Sequence, residues 1–327
     1  MMLAVEVAKK GLYLTRPNPS VGCVIVKAGQ VVGIGTTAKV GGSHAEVFAL
    51  AQAGIQAQGA TAYVTLEPCS HTGRTPPCCD ALIRAGIARV VIAVIDPNPK
   101  VSGEGIKRLL AASVAVTILS GIAQAYAINA GFLKAMATKL PFVRLKLGIS
   151  LDGKIAMKSG ESKWITGSEA RQDVQKLRAR SAAIITGSQT ILDDNPALTV
   201  RECVLGVPIA DIPTPKSVVV DRRGRLALGD AYQVTQRADT LLWQGELLPL
   251  LQTLVKEFLC YDVLVEAGAQ LASAFITAGL VDELIVYQAP CLLGADANSM
   301  FVGHFTHLSE QVRFKLISCE RLGEDIK

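Results

Sequence analysis

Four residues in the first quarter of the chain, His44, Glu46, Cys69 and Cys78, have the types and order of a hydrolytic metal site. One imidazole and two thiolates supply three zinc ligands, and the Glu46 carboxylate supplies a proton carrier. Three is a catalytic number: structural zinc is closed by four protein ligands, whereas hydrolytic zinc keeps a position for water. The metal lowers the pKa of that water from ~16 to about 7, which makes a nucleophile available at neutral pH. Glu46 lies two residues beyond His44 at a helix start, so it points differently and can face the water without ligating. It would take a proton as an amidine-like ring carbon is attacked and return one to the departing amine.

Each residue alone has a plainer explanation, since a lone histidine is more often a packed or surface residue and free cysteine is among the most buried types. Their order argues for more. His-x-Glu followed by Pro-Cys matches the zinc nucleobase-deaminase signature, in which two residues separate the two cysteines. Here eight residues intervene between Cys69 and Cys78. Pro77-Cys78-Cys79 opens a helix, whose positive end favours thiolate over thiol. Either cysteine gains from that placement, so spacing leaves Cys78 and Cys79 undecided. Cys23, Cys203, Cys260, Cys291 and Cys319 read as packing residues.

The elements that must position these groups follow from patterning. Met1 to Leu14 repeats apolar residues at helical spacing until Pro17-Asn18-Pro19 ends it. Val21 to Val26 and Gln30 to Gly35 form a hairpin across Lys27-Ala28-Gly29. His44 to Ala53 is a helix closed by Gly54, and Ala60 to Leu66 a strand delivering Cys69. Pro76-Pro77 opens a helix through Ala85, capped by Gly86. Arg89 to Ile95 is an apolar strand of the buried, parallel kind, and Gly105 to Ala112 a further helix. This is an α/β/α layered unit, residues 1–139. The pattern restarts after Pro141 with a strand from Phe142 to Leu147. Strands at Ala182 to Thr186, Ser217 to Val220, Val263 to Val265 and Glu283 to Gln288 alternate with helices such as Ser168 to Ala179 and Ala272 to Ala278. A second α/β domain, 140–327, is expected, as 327 residues exceed what one core usually serves.

Composition narrows the function class. Half the residues are hydrophobic, only 5% are aromatic, and a net charge of +5 is scattered without a basic run. A small anionic substrate fits this better than nucleic acid, whose binders combine a basic groove with stacking rings. No apolar run reaches the roughly 18 residues of a membrane span and no leader pattern opens the chain, so a cytoplasmic protein is expected. Eight cysteines in a reducing compartment stay free for metal or packing.

The segment Glu67-Pro68-Cys69-Ser70-His71-Thr72-Gly73-Arg74-Thr75-Pro76-Pro77-Cys78-Cys79 closely resembles the deaminase domain of the bifunctional riboflavin-biosynthesis deaminase/reductases. Pro17-Asn18-Pro19-Ser20-Val21-Gly22-Cys23-Val24-Ile25-Val26 and Asp96-Pro97-Asn98-Pro99 look like its motifs too, and the likeness covers nearly the whole chain. It implies a cytidine-deaminase-like first domain acting on 2,5-diamino-6-ribosylamino-4(3H)-pyrimidinone 5′-phosphate with one zinc ion per chain. The ligand in that family is the first cysteine after the two prolines, which selects Cys78. Asn18, His71 and Arg74 would line the substrate pocket, offering an amide to a ring edge and donors to ribose and phosphate.

In the second domain, glycine-rich turns end three strands: Gly148 in Leu147 to Lys154, Gly187-Ser188-Gln189-Thr190, and Glu266-Ala267-Gly268. Ligands favour such places in α/β sheets, and Gly268 would let a phosphate approach a helix N-terminus. Taken alone these turns are weak evidence. The resemblance implies a dihydrofolate-reductase-like fold using NADPH, with Gly148, Trp164, Thr190, Asp194 and Gly268 at the cofactor. Ser162, Arg178, Leu198, Arg201 and Glu266 would meet the substrate, whose ribosyl group is reduced to ribityl. Lys146, charged within an apolar strand, is a further substrate candidate, because burying it unpaired would be costly. The stretch from Arg201 to Val263 is shorter than the family's, the chain opens inside its first helix, and at Asp325-Ile326-Lys327 a final strand would be expected to continue. Expected partners are the phosphorylated pyrimidine and further copies of the chain, a homo-oligomer, without nucleic acid or membrane. Rival readings are a nucleic-acid base deaminase, a zinc-stapled binding module closed by Cys79 or His71, and a deaminase whose reductase half is a spent scaffold.

Overall fold

The computed structural model describes residues 1–70, 76–98, 101–201 and 205–327, and the chain divides into two compact units. The first comprises Met1–Lys139 with Asp211–Pro213, the second Leu140–Ala210 with Thr214–Lys327.

In the first unit, strands β1 (Gly22–Lys27), β2 (Gln30–Thr36), β3 (Thr61–Val64), β4 (Arg89–Ile92) and β5 (Ala115–Ile118) form one sheet in the order β2-β1-β3-β4-β5. The hairpin closes through Ala28 and Gly29, both at positive φ, the two-residue turn whose twist suits right-twisted strands. Helices α1 (Met2–Lys9), α2 (Ala45–Ala53), α3 (Cys78–Arg84) and α4 (Glu104–Ala111) cover it, followed by α5 (Ala123–Ile128) and α6 (Ala130–Thr138). Apolar residues of β1, β3 and β4 bury against Ala45, Ala49, Leu82 and Leu109. Small residues set the spacing: a Cβ on Gly33 or Gly35 would lie 2.1 Å from a backbone oxygen of α2. The first helix ends at Lys9, short of the expected Leu14, and the Ser20 hydroxyl donates to the Ala8 carbonyl near that end at 2.6 Å. The fifth strand was not expected; it is a half-exposed edge strand without a buried apolar stripe.

In the second unit, strands β6 (Phe142–Ile149), β8 (Ala183–Gly187), β9 (Lys216–Val220), β10 (Leu241–Trp243), β11 (Asp262–Glu266), β12 (Glu283–Gln288), β14 (Arg321–Leu322) and β15 (Asp325–Ile326) form one sheet. Its order is β10-β9-β8-β11-β6-β12-β15-β14, parallel from β10 to β12, and β7 (Lys154–Ala156) pairs separately with β13 (Asn298–Ser299). Helices α7 (Ser168–Arg180), α8 (Ser188–Asp194), α9 (Leu247–Lys256) and α10 (Ala269–Thr277) connect the strands. Two apolar clusters form this core, one around Val143, Leu145, Val263 and Phe275, the other around Ile184, Leu264 and Tyr287. Among the described residues no helix is long and apolar enough to cross a membrane.

Candidate active sites

His44 is the N-cap residue of α2 in an extended conformation, Cys69 follows β3, and Cys78 is the first residue of α3. The three ligand atoms converge: His44 Nδ1 lies 3.0 Å from Cys78 Sγ and 3.6 Å from Cys69 Sγ. Tetrahedral bonds of ~2.0–2.3 Å to one zinc ion place such atoms about 3.5–3.8 Å apart, so the set needs only small adjustments to fit the metal. Among the described residues it is the one cluster of this kind. Backbone N–H of Cys78 donates to Cys69 Sγ at 3.3 Å, so the helix start assists Cys69, whereas the sequence points to a gain at Cys78 or Cys79 themselves, both of which are raised. A hydrogen bond from the Cys78 thiol, reinforced by His44, holds the Cys69 thiol down at about 4, and Cys78 is raised as the partner that keeps the shared proton.

Cys79 turns the other way. Its thiol donates to Pro68 O at 3.2 Å and is raised to about 12, first by burial and then by the charges of Cys69, Glu46 and Glu67. Glu46, on the first turn of α2, is buried, and burial raises its carboxyl above the usual range. Its charge acts on Cys69 and Cys78, so it neighbours the cluster without belonging to it.

Asn18 is exposed on the turn before β1, while His71 and Arg74 lie outside the described residues. Two groups that sequence reasoning missed brace this site. The buried Asn129 amide clasps Ser20, accepting from its N–H at 2.8 Å and donating to its carbonyl at 2.9 Å, which fixes the loop behind Asn18. Glu67, also buried, accepts four backbone N–H bonds, from Asp96 (3.3 Å), Gly103 (3.1 Å), Gly105 (3.1 Å) and Ile106 (3.3 Å).

In the second unit Lys146, Gly148 and Glu266 lie in the carboxyl-terminal halves of parallel strands, and Thr190 and Gly268 just beyond strand ends. Register sets Glu266 beside Lys146 and Tyr287 beside Gly148. Arg178 of α7 grips Glu266 with two bonds, Nε at 2.6 Å and Nη2 at 2.8 Å, and its Nη1 donates to Thr199 O at 3.1 Å. Glu266 is lowered because Arg178, then Lys146 and Arg201, outweigh the effect of its burial. All three nitrogens of Arg178, expected to meet the substrate, are engaged within the protein. Arg201 is exposed and its backbone N–H donates to Gln175 Oε1 at 2.9 Å, leaving its guanidinium as the better match.

Lys146 is lowered by burial, with Glu266 opposing and Arg178 adding to the effect, and its ammonium stands 6.0 Å from the Tyr287 ring centre. Tyr287 in turn donates to Asp173 at 2.7 Å. Ser162 is half-buried, Leu198 is buried at a positive φ of 50°, and Trp164 is 70% exposed with the Arg171 guanidinium 4.6 Å from its ring centre. Asp194, ending α8 after Thr190, pairs with Lys163 at 3.2 Å. Gly268 is the extended N-cap of α10, and a Cβ added there would meet nothing within 4 Å. Gly268 thus leaves room beside the start of a nine-residue helix, a place that suits a pyrophosphate.

Comparison with known proteins follows the same division. Residues 1–94 match the family model of the cytidine and deoxycytidylate deaminase zinc-binding region, and residues 141–327 match that of the RibD C-terminal domain. The chain is 45% identical to riboflavin biosynthesis protein RibD of Escherichia coli (strain K12), over all of this chain and 96% of that one. The corresponding protein of Aquifex aeolicus (strain VF5) is 37% identical with the same coverage. Among solved structures, Acinetobacter baumannii RibD superposes with a TM-score of 0.95 at 50% identity, covering 99% of this chain and 95% of that chain. A diaminohydroxyphosphoribosylaminopyrimidine deaminase/5-amino-6-(5-phosphoribosylamino)uracil reductase from Thermotoga maritima does so with a TM-score of 0.88 at 33% identity, over 100% and 95% of the two chains.

Proposed function

The chain belongs to the RibD family of riboflavin-biosynthesis proteins, and from there we propose that His44, Cys69 and Cys78 hold one zinc ion while Glu46 moves the protons of a deamination. The protein is a bifunctional enzyme, a zinc-dependent deaminase joined to an NADPH-dependent reductase, with a cytidine-deaminase-like and a dihydrofolate-reductase-like fold. It removes the amine of 2,5-diamino-6-ribosylamino-4(3H)-pyrimidinone 5′-phosphate and reduces the ribosyl side chain of the product to ribityl. We assign the first step to residues 1–139 and the second to 140–327.

The observation that carries the zinc assignment is convergence: one imidazole and two sulfurs whose ligand atoms all lie within 4.8 Å of one another, with the buried Glu46 carboxyl two residues beyond the imidazole. Zinc, when bound, polarises a water. Burial makes Glu46 a ready proton acceptor, so it collects the proton of that water and returns it to the departing amine. Asn18, His71 and Arg74 orient the pyrimidine and its phosphate. Cys79, turned to Pro68, leaves three protein ligands among the described residues, which favours a catalytic over a closed, structural zinc.

In the second unit NADPH supplies the hydride. Gly148, Trp164, Thr190, Asp194 and Gly268 seat it, while Ser162, Leu198, Arg201 and Glu266 hold the sugar phosphate. Arg178 acts by fixing Glu266, and Lys146, an ammonium that burial makes more acidic, donates to the oxygen at the reduced carbon. We place the enzyme in the cytoplasm as a homo-oligomer. Residues 312–320 are exposed throughout and belong to no strand, yet they display Val312, Phe314, Leu316 and Ile317. A second copy covers this stretch, and Leu316→Asp should shift the sedimentation coefficient to that of the single chain.

The deciding experiment combines metal analysis with ammonia release from the phosphorylated diaminopyrimidine, then NADPH oxidation with the deaminated product. Stoichiometric zinc, ammonia and product-dependent loss of NADPH absorbance are expected. A protein without zinc, or one oxidising no NADPH, refutes the corresponding half.

A further inference from the structure

Among the described residues the Glu67 carboxylate bonds to no zinc ligand, yet it is among the most heavily hydrogen-bonded side chains in the first unit. Its own backbone N–H donates to Val94 O at 2.9 Å, which fixes it at the end of the sheet. From there the carboxylate gathers the N–H groups of Gly103, Gly105 and Ile106 at the start of α4, and that of Asp96. Asp96 is itself the anchor of the Asp96-Pro97-Asn98 turn, accepting from Asn98 N–H at 2.8 Å. A buried anion with four N–H donors is a strong, directional fastening, as the alternative is several unsatisfied buried groups.

The next residues carry the fastening to the metal site. Pro68 O lies so close to α4 that a Cβ on Gly105 would stand 2.2 Å from it and 3.1 Å from Glu67 Oε1. The same carbonyl receives the Cys79 thiol, and Cys79 N–H donates to Cys69 O at 3.2 Å. The loop bearing Cys69 and the helix bearing Cys78 are thus tied to each other and to α4.

We propose that Glu67 is a positioning residue of the zinc site: through Pro68 and Cys79 it sets the distance between the Cys69 and Cys78 sulfurs, and so the affinity and geometry of the metal. The proposal rests on the zinc assignment above. Groups that orient metal ligands from behind typically contribute tenfold to a hundredfold in affinity.

The test is Glu67→Gln in the full chain, in which one oxygen facing N–H donors becomes an amide NH2 that repels them. Zinc retention is measured by competition with a chromophoric chelator, and ligand geometry by the visible absorption of the cobalt(II)-substituted protein. We expect zinc affinity to fall about tenfold to a hundredfold, a shifted cobalt spectrum, and an unchanged rate of NADPH oxidation in the second unit as the internal control of folding. Cys79→Ala, which removes only the thiol contact to Pro68, is expected to weaken zinc severalfold, and Cys79→Ser to restore it. Should Glu67→Gln not fold, the Cys79 pair decides alone. Wild-type affinity and cobalt spectrum in the folded Glu67→Gln protein, or in Cys79→Ala, overturn the proposal. A wild-type chain that binds no zinc would instead overturn the metal assignment itself.

Discussion

In the first unit the metal-ligating side chains come from two helix starts and one loop, and their ligand atoms lie within 4.8 Å of one another. In the second they are strung along the carboxyl edge of a parallel sheet, and the most strongly charged of them, Arg178 and Glu266, are already bonded together. The first arrangement awaits a metal, whose chemistry the ligand types declare. The second awaits a large organic cofactor, for which the protein supplies space, helix ends and a few pre-oriented polar groups. A site can therefore be complete in its side chains or in its shape, and substitutions should injure the two kinds differently.

The largest contrast is between neighbouring cysteines. Cys78→Ser should abolish zinc binding and ammonia release, whereas Cys79→Ser, which keeps a donor to Pro68, should retain both; equal zinc contents in the two variants would break the assignment. Next, Glu46→Gln should lower deamination by about 10²–10⁴-fold with zinc content and NADPH oxidation unchanged. In the second unit the dominant effect should be on stability. Arg178→Met leaves a buried carboxylate without its partner, at a cost of about 3–5 kcal/mol, and adding Glu266→Leu should recover much of it. A thermal melt indifferent to Arg178→Met would show that the pair is not shielded from solvent.

The smallest effect is that of pH. Asp173 is buried, but bonds from Lys327 and Tyr287 outweigh burial and lower it, as Arg178 does for Glu266. Both folded pKa values lie below the unfolded ones, so their contribution is present above the unfolded carboxyl range and lost as pH falls through the folded values. Acid titration followed by near-ultraviolet circular dichroism should therefore show Arg178→Met losing less stability than wild type between neutral and acidic pH.

Sequence patterning placed His44 at the start of α2, Cys69 after β3, Gly54 as a positive-φ closure and the restart at Phe142. These signals are local, resting on a few adjacent residues. What patterning did not yield depends on distant partners or weak burial. The edge strands β5 and β10 lack fully buried residues, and α9 was passed over although Leu250, Leu251 and Leu254 form its buried stripe. Glu67 stood inside the most recognisable motif of the chain, but its four donors lie 29 to 39 positions away. In the sequence Arg178 and Glu266 both read as substrate contacts, and only the fold reveals them as each other's partners.

The order of strands in the second sheet also bears on how the protein is made. The strand at Asp262–Glu266 pairs on both sides, with Phe142–Ile149 and with Ala183–Gly187, so the middle of that sheet closes long after its two flanking strands have left the ribosome. The five strands of the first unit all precede residue 139. At ~5–20 residues per second, the zinc-binding half has on the order of ten seconds to fold before the other can close its sheet. During that interval two apolar strand edges wait for an insert, which makes the nascent second half the part most in need of chaperone protection.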